Sequence, residues 1–181
     1  PVVASMLLLV SSCSSQSAEL DARQARALHE RLLVLDTHLD TPSFLARPDW
    51  KITDRHAVAD EGSQVDLPRM IDGGLDGGFW AIFTSQGPRT AEGLRNARDT
   101  ALLTAMRIRE MVARHPAQFE LALTAADAPR IAAAGKRVVY LSIENGYPLG
   151  TDASLLRTFH KLGVRLFERL ILQLQATFAI L

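Results

Sequence analysis

The sequence predicts an α/β fold with a parallel sheet, forming part of a (β/α)8 (TIM) barrel with about the first four βα units. Short apolar runs at residues 32–35, 79–84, 119–123 and 138–143 are predicted to be buried strands. Segments of helical character separate them, and this alternation is typical of parallel α/β proteins. The first and the fourth run each end in side chains that can bind a ligand, as strands of an α/β barrel do at their carboxyl ends.

The length and the charge of the chain narrow the possible classes of protein. With 181 residues it is long enough for one domain but shorter than a closed barrel, which typically has about 250 residues. Its 20 basic and 20 acidic residues give a net charge of zero, and no basic run stands out, which argues against a nucleic-acid partner. The single cysteine, Cys13, excludes an internal disulfide.

Residues 1–18 are predicted to be a signal segment and a tether rather than part of the fold. The apolar run Met6–Val10 is too short to cross a bilayer but has the size of a signal-peptide core. The residues Val10-Ser11-Ser12-Cys13 resemble a bacterial lipobox. We therefore expect lipid attachment at Cys13, which would anchor an exported lipoprotein to a membrane of the cell envelope. The alternative is an apolar N-terminus with an idle thiol.

The segments between the strands are predicted from periodicity, caps and helix-breaking residues. Helices are expected at about 20–31, 67–71, 91–115, 125–134 and 152–161, with a long loop or flap at 44–64. Thr124 is predicted to cap the helix that begins at 125. The glycine-rich stretch 73–78 is predicted to form a tight turn into a strand, and because it opens no helix we do not expect it to bind phosphate. The other histidines are expected to be structural or surface side chains: His29, His56, His115 and His160.

The candidate site residues are His38, Asp40 and Glu144. His38 and Asp40 lie two residues apart just beyond the first predicted strand, so an extended backbone would place both side chains on the same side. An imidazole and a carboxylate that converge in this way suit a divalent cation such as zinc. The alternative is a strand closed by a polar turn. Glu144 ends the fourth predicted strand, and its alternative role is that of a helix-cap partner or a solvated loop acid.

Four stretches of the sequence form a recognisable set: Asp36 to Pro42, Val65 through Ala81, Ser142 to Gly146 and Leu162 to Arg165. Together they resemble the membrane dipeptidase (renal dipeptidase) family of metallopeptidases, peptidase family M19. They occur in family order and spacing and cover most of residues 33–165. Each stretch alone is weak, but the set is specific.

The resemblance implies a (β/α)8 barrel of the metallo-dependent hydrolase type that cleaves dipeptides, including those with a D-residue at the carboxyl end. It implies that His38 and Asp40 bind one zinc ion and that Glu144, as the catalytic carboxylate, bridges it to a second. A hydroxide held between the two ions would attack the peptide carbon. The resemblance also implies that a homodimer can form.

Residues 166–181 depart from the family pattern. The family continues with a fifth strand ending in a substrate-binding histidine, followed by two histidines of the second zinc site, and none of these is found here. Residues 19–165 are therefore predicted to be the first half of the barrel, and residues 166–181 an aberrant tail produced by a frameshift near Leu166. On this hypothesis the second zinc site is incomplete, the substrate-binding residues stay unassigned and the activity of this chain is impaired. The alternatives are another metal-dependent amidohydrolase of the same superfamily and a non-catalytic lipoprotein fragment.

Overall fold

The computed structural model describes residues 21–168 of the chain. The predicted lipid-attachment site at Cys13 and the predicted tail from residue 169 onward lie outside these described residues. The chain divides into two units, residues 1–31 and residues 32–181. No helix within residues 21–168 is both long enough and apolar enough to cross a membrane.

The first unit contains helix α1, Ala22–His29, which lies within the helix predicted at 20–31. Asp21 begins this helix with a reciprocal pair of hydrogen bonds. The backbone N–H of Gln24 donates to the Asp21 carboxylate at 2.7 Å, and the backbone N–H of Asp21 donates to the Gln24 side chain at 3.1 Å. This capping box satisfies backbone donors that the first turn of a helix leaves without partners.

The second unit alternates strands with helical segments along the chain. Its strands are β1 (Leu35–Leu39), β2 (Gly77–Ile82), β3 (Phe119–Leu121), β4 (Arg137–Ile143) and β5 (Val164–Phe167). Its α-helices are α2 (Val58–Glu61), α3 (Leu67–Gly73), α4 (Ala91–Arg114), α5 (Asp127–Ala133) and α6 (Leu155–Leu162). Two 3₁₀ helices follow β1 and β4, at Thr41–Phe44 and Tyr147–Leu149.

The five strands form one sheet in which every pair is parallel, which confirms the predicted α/β fold. The order is β1-β2-β4, so β2 lies between β1, which contains His38 and is followed by Asp40, and β4, which is followed by Glu144. The β2–β4 pairing is regular along its whole length, from Gly77 opposite Val138 to Ile82 opposite Ile143. On its other side, β4 pairs with β3 near its start and with β5 near its end. The carboxyl ends of β1, β2, β4 and β5 therefore lie at one edge of the sheet.

Strand β1 lies further along the chain than the apolar pattern predicts. The prediction placed it at residues 32–35, whereas it runs from Leu35 to Leu39. Leu32 and Leu33 are 56% and 44% exposed, so the first half of this apolar run does not enter the core. His38 is consequently part of the strand. The extended conformation ends before Asp40, whose φ of −78° and ψ of 0° begin the 3₁₀ helix.

The start of α5 also differs from its prediction. Thr124 is not the N-cap, because the helix begins at Asp127 and the cap position is Ala126. The Asp127 carboxylate instead accepts hydrogen bonds from the backbone N–H groups of Leu123 and Thr124 and from the Thr124 hydroxyl. An ionised carboxylate is a stronger acceptor than a hydroxyl, so Asp127 satisfies this turn from inside the helix.

Strand β5 crosses the boundary predicted at residue 166. Its residues pair in parallel with β4, with Leu166 opposite Ser142 and Phe167 opposite Ile143. The ring of Phe167 packs edge-on against Phe159 of α6, with ring centroids 6.5 Å apart. Residues 166–168 therefore continue the sheet.

The core lies on both faces of β4. Alternate residues Val139, Leu141 and Ile143 belong to the main apolar cluster, and Val138 and Tyr140 belong to a second cluster with residues of α5. Strands buried on both faces are expected in a parallel sheet that helices cover. The main cluster also contains Trp80 and residues of α4 and α6, so it fixes the position of the sheet edge that carries the candidate site residues.

The segment between the first 3₁₀ helix and α3, which contains the short helix α2, packs against the core. Trp50 and Ile52 are 6% and 2% exposed and belong to the main cluster. The His56 ring stacks on Trp50, with centroids 4.8 Å apart. Its Nδ1 lies 3.0 Å from the Glu61 carboxylate and its Nε2 lies 2.8 Å from the Lys51 carbonyl oxygen. Both partners accept hydrogen bonds, so both ring nitrogens are donors and the ring is an imidazolium.

The pKa of His56 agrees with this assignment. Desolvation is the largest single influence and lowers the pKa of His56, but the hydrogen bonds to Lys51 and Glu61 and the charges of Glu61 and Asp66 outweigh it and raise the pKa above its ordinary value. The charged form of His56 is therefore favoured in the folded chain.

Two consecutive glycines let β2 approach its neighbours closely. A Cβ at Gly77 would overlap the backbone of Val138 in β4, and a Cβ at Gly78 would overlap the Asp36 carbonyl oxygen in β1. Gly77 also has a φ of +150°. The β1–β2 and β2–β4 pairings, which bring the candidate site residues close to one another, thus depend on glycine at these two positions.

We expect Gly78→Ala to lower the free energy of unfolding by about 1–3 kcal/mol, because the added methyl group forces β1 away from β2. Gly73→Ala is the matched control, since nothing lies within 4 Å of a Cβ at Gly73. This control should leave stability unchanged or raise it by up to about 1 kcal/mol. Urea unfolding followed by circular dichroism measures both values, and equal effects of the two substitutions would contradict the close approach at Gly78.

We also expect His56 to make stability depend on pH. Because its pKa is higher in the folded than in the unfolded chain, its stabilising contribution is complete below about pH 6.5 and is lost as the pH rises through the folded-state pKa. The difference in unfolding free energy between the unaltered chain and His56→Gln should therefore be larger at pH 6 than at pH 9. Urea unfolding at both pH values checks this, and the comparison cancels groups that titrate in both proteins. A difference independent of pH would contradict the imidazolium assignment.

Candidate metal centre

The turn after β1 holds His38 and Asp40 through local hydrogen bonds. The backbone N–H of His38 donates to the Asp36 carboxylate at 2.8 Å. The Asp40 carbonyl oxygen accepts from the Ser43 hydroxyl at 2.8 Å and from the Ser43 backbone N–H at 3.1 Å. The chain therefore turns sharply at Asp40, and its side chain stays beside that of His38.

The loop after β4 is fixed by hydrogen bonds to β2 and to the residues that follow it. The Glu144 backbone N–H donates to the Ile82 carbonyl oxygen at 3.3 Å. Asn145 is 2% exposed, and its side-chain amide donates to the Thr84 carbonyl oxygen at 3.1 Å. Its side-chain oxygen accepts the Tyr147 backbone N–H at 3.0 Å. The backbone at Glu144 is thus fixed by its hydrogen bond to β2 and by the buried side chain of Asn145 that follows it.

The structure brings His38, Asp40 and Glu144 together at the carboxyl edge of the sheet. His38 Nε2 lies 3.1 Å from Asp40 Oδ1 and 3.8 Å from Glu144 Oε2. One nitrogen or oxygen atom from each of the three side chains lies within 4.8 Å of the others, and these residues form a group able to hold a metal ion. One imidazole nitrogen and two carboxylate oxygens are a donor set that suits zinc and other divalent cations. The residues present therefore fit a metal ion.

The electrostatics of this group favour an added positive charge. Desolvation is the largest influence on Glu144 and raises its pKa, and the charges of Asp40 and Glu168 raise it further against the opposing effect of His38. For His38, desolvation is again the largest influence and lowers the pKa, but hydrogen bonds to Glu168 and Asp40 and their charges raise it above its ordinary value. A cation at this point would offset the repulsion between the carboxylates.

Glu168 is a fourth polar side chain of this group, and the sequence analysis missed it. Its carboxylate Oε2 lies 2.6 Å from His38 Nδ1, on the other side of the ring from Asp40. The sequence signal for Glu168 resembles the one that identified Glu144: an acidic residue directly follows a short segment, Val-Arg-Leu-Phe at 164–167, that is apolar except for Arg165. The prediction that residues 166–181 are an aberrant tail removed Glu168 from consideration.

A cavity of about 360 Å³ adjoins the group, and Asp40 and Glu144 both line it. The other lining residues are Ser43, Ala81, Phe83 and Thr104. Phe83 directly follows the end of β2 and is 47% exposed, although it is a large apolar side chain. A cavity of this size accommodates a small ligand, and its wall combines carboxylates, hydroxyls and one aromatic ring.

Within residues 32–168, the other histidines lie outside the His38 group, as predicted. The His56 ring stacks on Trp50, His115 is the C-cap residue after α4, and His160 is an exposed residue of α6. His29 lies in α1 of the first unit.

Comparison with known proteins identifies the family. The sequence model described as membrane dipeptidase (peptidase family M19) matches residues 22–179. The chain belongs to the membrane dipeptidase family. Since the family is one of metallopeptidases, it implies a metal ion, which agrees with the donor set of the His38 group.

Individual relatives are named as dipeptidases or as a metallopeptidase. Dipeptidase ataJ of Aspergillus terreus is 30% identical over 151 residues, which cover 78% of this chain and 36% of that protein. The crystal structure of the probable dipeptidase PvdM of Pseudomonas aeruginosa matches with a TM-score of 0.71 and 29% identity, over 80% of this chain and 36% of that one. A metallopeptidase of Rhodobacter sphaeroides, solved with a phosphinate mimic of the dipeptide L-Ala-D-Ala, matches with a TM-score of 0.59 and 25% identity, over 75% and 44% of the two chains.

The chain spans less than half the length of these relatives. The residues matched by the family model, 22–179, include His38, Asp40 and Glu144. These structural matches confirm the predicted partial barrel of the M19 type.

We expect His38→Ala to weaken the binding of a divalent cation, with zinc as the probe, by more than 100-fold, because it removes the only nitrogen donor of the group formed by His38, Asp40 and Glu144. Residues that merely support a metal ligand already change affinity by about 10–100-fold. His160→Ala is the control, since His160 is exposed and lies outside the group. Competition with a chromogenic zinc chelator measures both affinities. Equal affinities in the two variants would show that His38 does not bind zinc.

Proposed function

We propose that the chain is the part of a zinc-dependent dipeptidase that carries one of its metal centres. We propose further that the substrates include dipeptides with a D-residue at the carboxyl end. The observation that carries the proposal is the meeting of one imidazole and two carboxylates beside a cavity in a chain of family M19. The phosphinate mimic of L-Ala-D-Ala bound to the Rhodobacter sphaeroides relative supports the substrate class.

In this proposal His38, Asp40 and Glu144 would hold a zinc ion, and Glu144 would also serve as a ligand of a second ion. A bound zinc ion would lower the pKa of water and polarise a carbonyl group, which would supply a nucleophile and an electrophile at neutral pH. Glu144 both lines the cavity and belongs to the group of possible ligands, so it would lie beside the metal ion and the substrate.

The residues that line the cavity determine which substrate groups the site can bind. Asp40 and Glu144 place negative charge on its wall, which is compensated when the cation is bound. Phe83 offers an apolar surface to an aliphatic side chain of the substrate, and the hydroxyls of Ser43 and Thr104 can bind its polar groups. Ser43 is already tied to the Asp40 carbonyl, so it also keeps the wall of the cavity in place.

The test is hydrolysis of dipeptides by the purified chain with added zinc. We expect L-Ala-L-Ala and L-Ala-D-Ala to be cleaved slowly, because the activity of this chain is predicted to be impaired, but in preference to a cyclic amide such as hydantoin. A chelator should abolish the activity. Glu144→Gln should lower the rate by at least about 100-fold, because it removes a charged ligand. Glu110→Gln, on the exposed side of α4, is the control and should leave the rate unchanged.

Preference for the cyclic amide would favour the other metal-dependent amidohydrolases. Hydrolysis of neither class by the zinc-loaded chain, with normal zinc binding, would overturn the proposed dipeptidase activity of this chain.

A further inference from the structure

Glu168 occupies a place in the sheet that matches the place of Glu144. Glu144 directly follows Ile143, the last residue of β4, and Glu168 directly follows Phe167, the last residue of β5. Ile143 and Phe167 are partners in the parallel pairing of these strands, and the Glu168 backbone N–H donates to the Ile143 carbonyl oxygen at 2.8 Å. The two carboxylates therefore leave neighbouring strands at the same level of the sheet.

The side chain of Glu168 contacts the ring of His38 on the side opposite to the metal-binding group. Its Oε2 lies 2.6 Å from His38 Nδ1, a short charge-assisted hydrogen bond. His38 Nε2 lies 3.1 Å from Asp40 and 3.8 Å from Glu144. Both side chains of the contact are partly shielded, with His38 34% and Glu168 24% exposed.

We propose that Glu168 is a positioning residue for His38, holding the ring so that Nε2 is the nitrogen offered to the metal ion. This inference rests on the proposed zinc site. Without a metal ion both ring nitrogens face carboxylates, Nδ1 that of Glu168 and Nε2 that of Asp40. When a cation takes the lone pair of Nε2, the one remaining ring proton is on Nδ1, where the Glu168 carboxylate accepts it. A ligating histidine whose other nitrogen donates to a carboxylate keeps its tautomer and orientation and becomes a stronger base.

Glu168 does not have the position of a further direct ligand. The two nitrogens of an imidazole ring point away from each other, and Glu168 binds the Nδ1 side, whereas Asp40 and Glu144 lie near Nε2. The group of ligand atoms within 4.8 Å of one another contains His38, Asp40 and Glu144. The remaining oxygen of Glu168, Oε1, is buried and has no hydrogen-bond partner within residues 21–168. Within that range, the bond from His38 to Oε2 is thus the only hydrogen bond of this carboxylate.

The experiment compares the zinc-loaded unaltered chain with Glu168→Gln, Glu168→Leu and the control Glu110→Gln. Chelator competition measures zinc affinity. Long-range ¹H–¹⁵N correlation spectra report which ring nitrogen of His38 carries the proton, with His38→Gln identifying the signals. Glu168→Leu should weaken zinc binding by about 10–100-fold and give a mixture of His38 tautomers. Glu168→Gln keeps an acceptor oxygen of the same size and should lie between Glu168→Leu and the unaltered chain, while Glu110→Gln should match the unaltered chain.

Three outcomes would overturn the inference. If Glu168→Leu binds zinc as tightly as the unaltered chain with the same His38 tautomer, Glu168 does not position His38, and the proposed zinc site stands. If affinity falls but the tautomer is unchanged, Glu168 acts as a direct ligand instead. If the unaltered chain does not bind zinc through His38, the proposed function fails together with this inference. If Glu168→Leu does not fold, the zinc affinity and the His38 tautomer of the isosteric Glu168→Gln variant are compared with those of the unaltered chain instead.

Discussion

The parallel pairing of β2 with β1 on one side and β4 on the other is the constraint on which the candidate site depends. It places His38 and Glu144 on strands that are not neighbours, yet their side chains come within 3.8 Å at the carboxyl edge of the sheet. Gly77 and Gly78 make this possible because a side chain at either position would overlap the backbone of the adjacent strand. The site is therefore a consequence of strand packing as much as of the residues that form it.

Several carboxylates lie close together at this edge, and their mutual repulsion makes the site electrostatically unfavourable when no cation is bound. Burial and the neighbouring carboxylates raise the pKa of Glu144 above its ordinary value, so its charged form is disfavoured without a compensating cation. The core beneath the site stabilises the sheet independently, through side chains such as Trp80, Leu141 and Ile143 that are fully buried. Unfavourable charge placement on a well-packed scaffold is characteristic of functional sites.

Much of the fold follows from local patterns, and the differences have identifiable causes. The long helix α4 and the buried strand β4 agree with their predictions because periodicity and apolar runs of that length have few alternatives. Strand β1 was predicted too early because residues 32 and 33 are as apolar as a core strand, although they are exposed. Glu168 was missed because the departure from the family pattern after Arg165 was interpreted as the end of the regular fold.

The sequence by itself determined the α/β class, the family and the identity of three candidate ligands. Each of these follows from short stretches of neighbouring residues and needs no knowledge of contacts between distant segments. Only the tertiary structure decided that these ligands meet, because the register between parallel strands depends on packing between segments far apart in the chain. It alone showed the contact of Glu168 with His38, which pairs residues of the first and the last strand of the described sheet. No local pattern encodes such a contact.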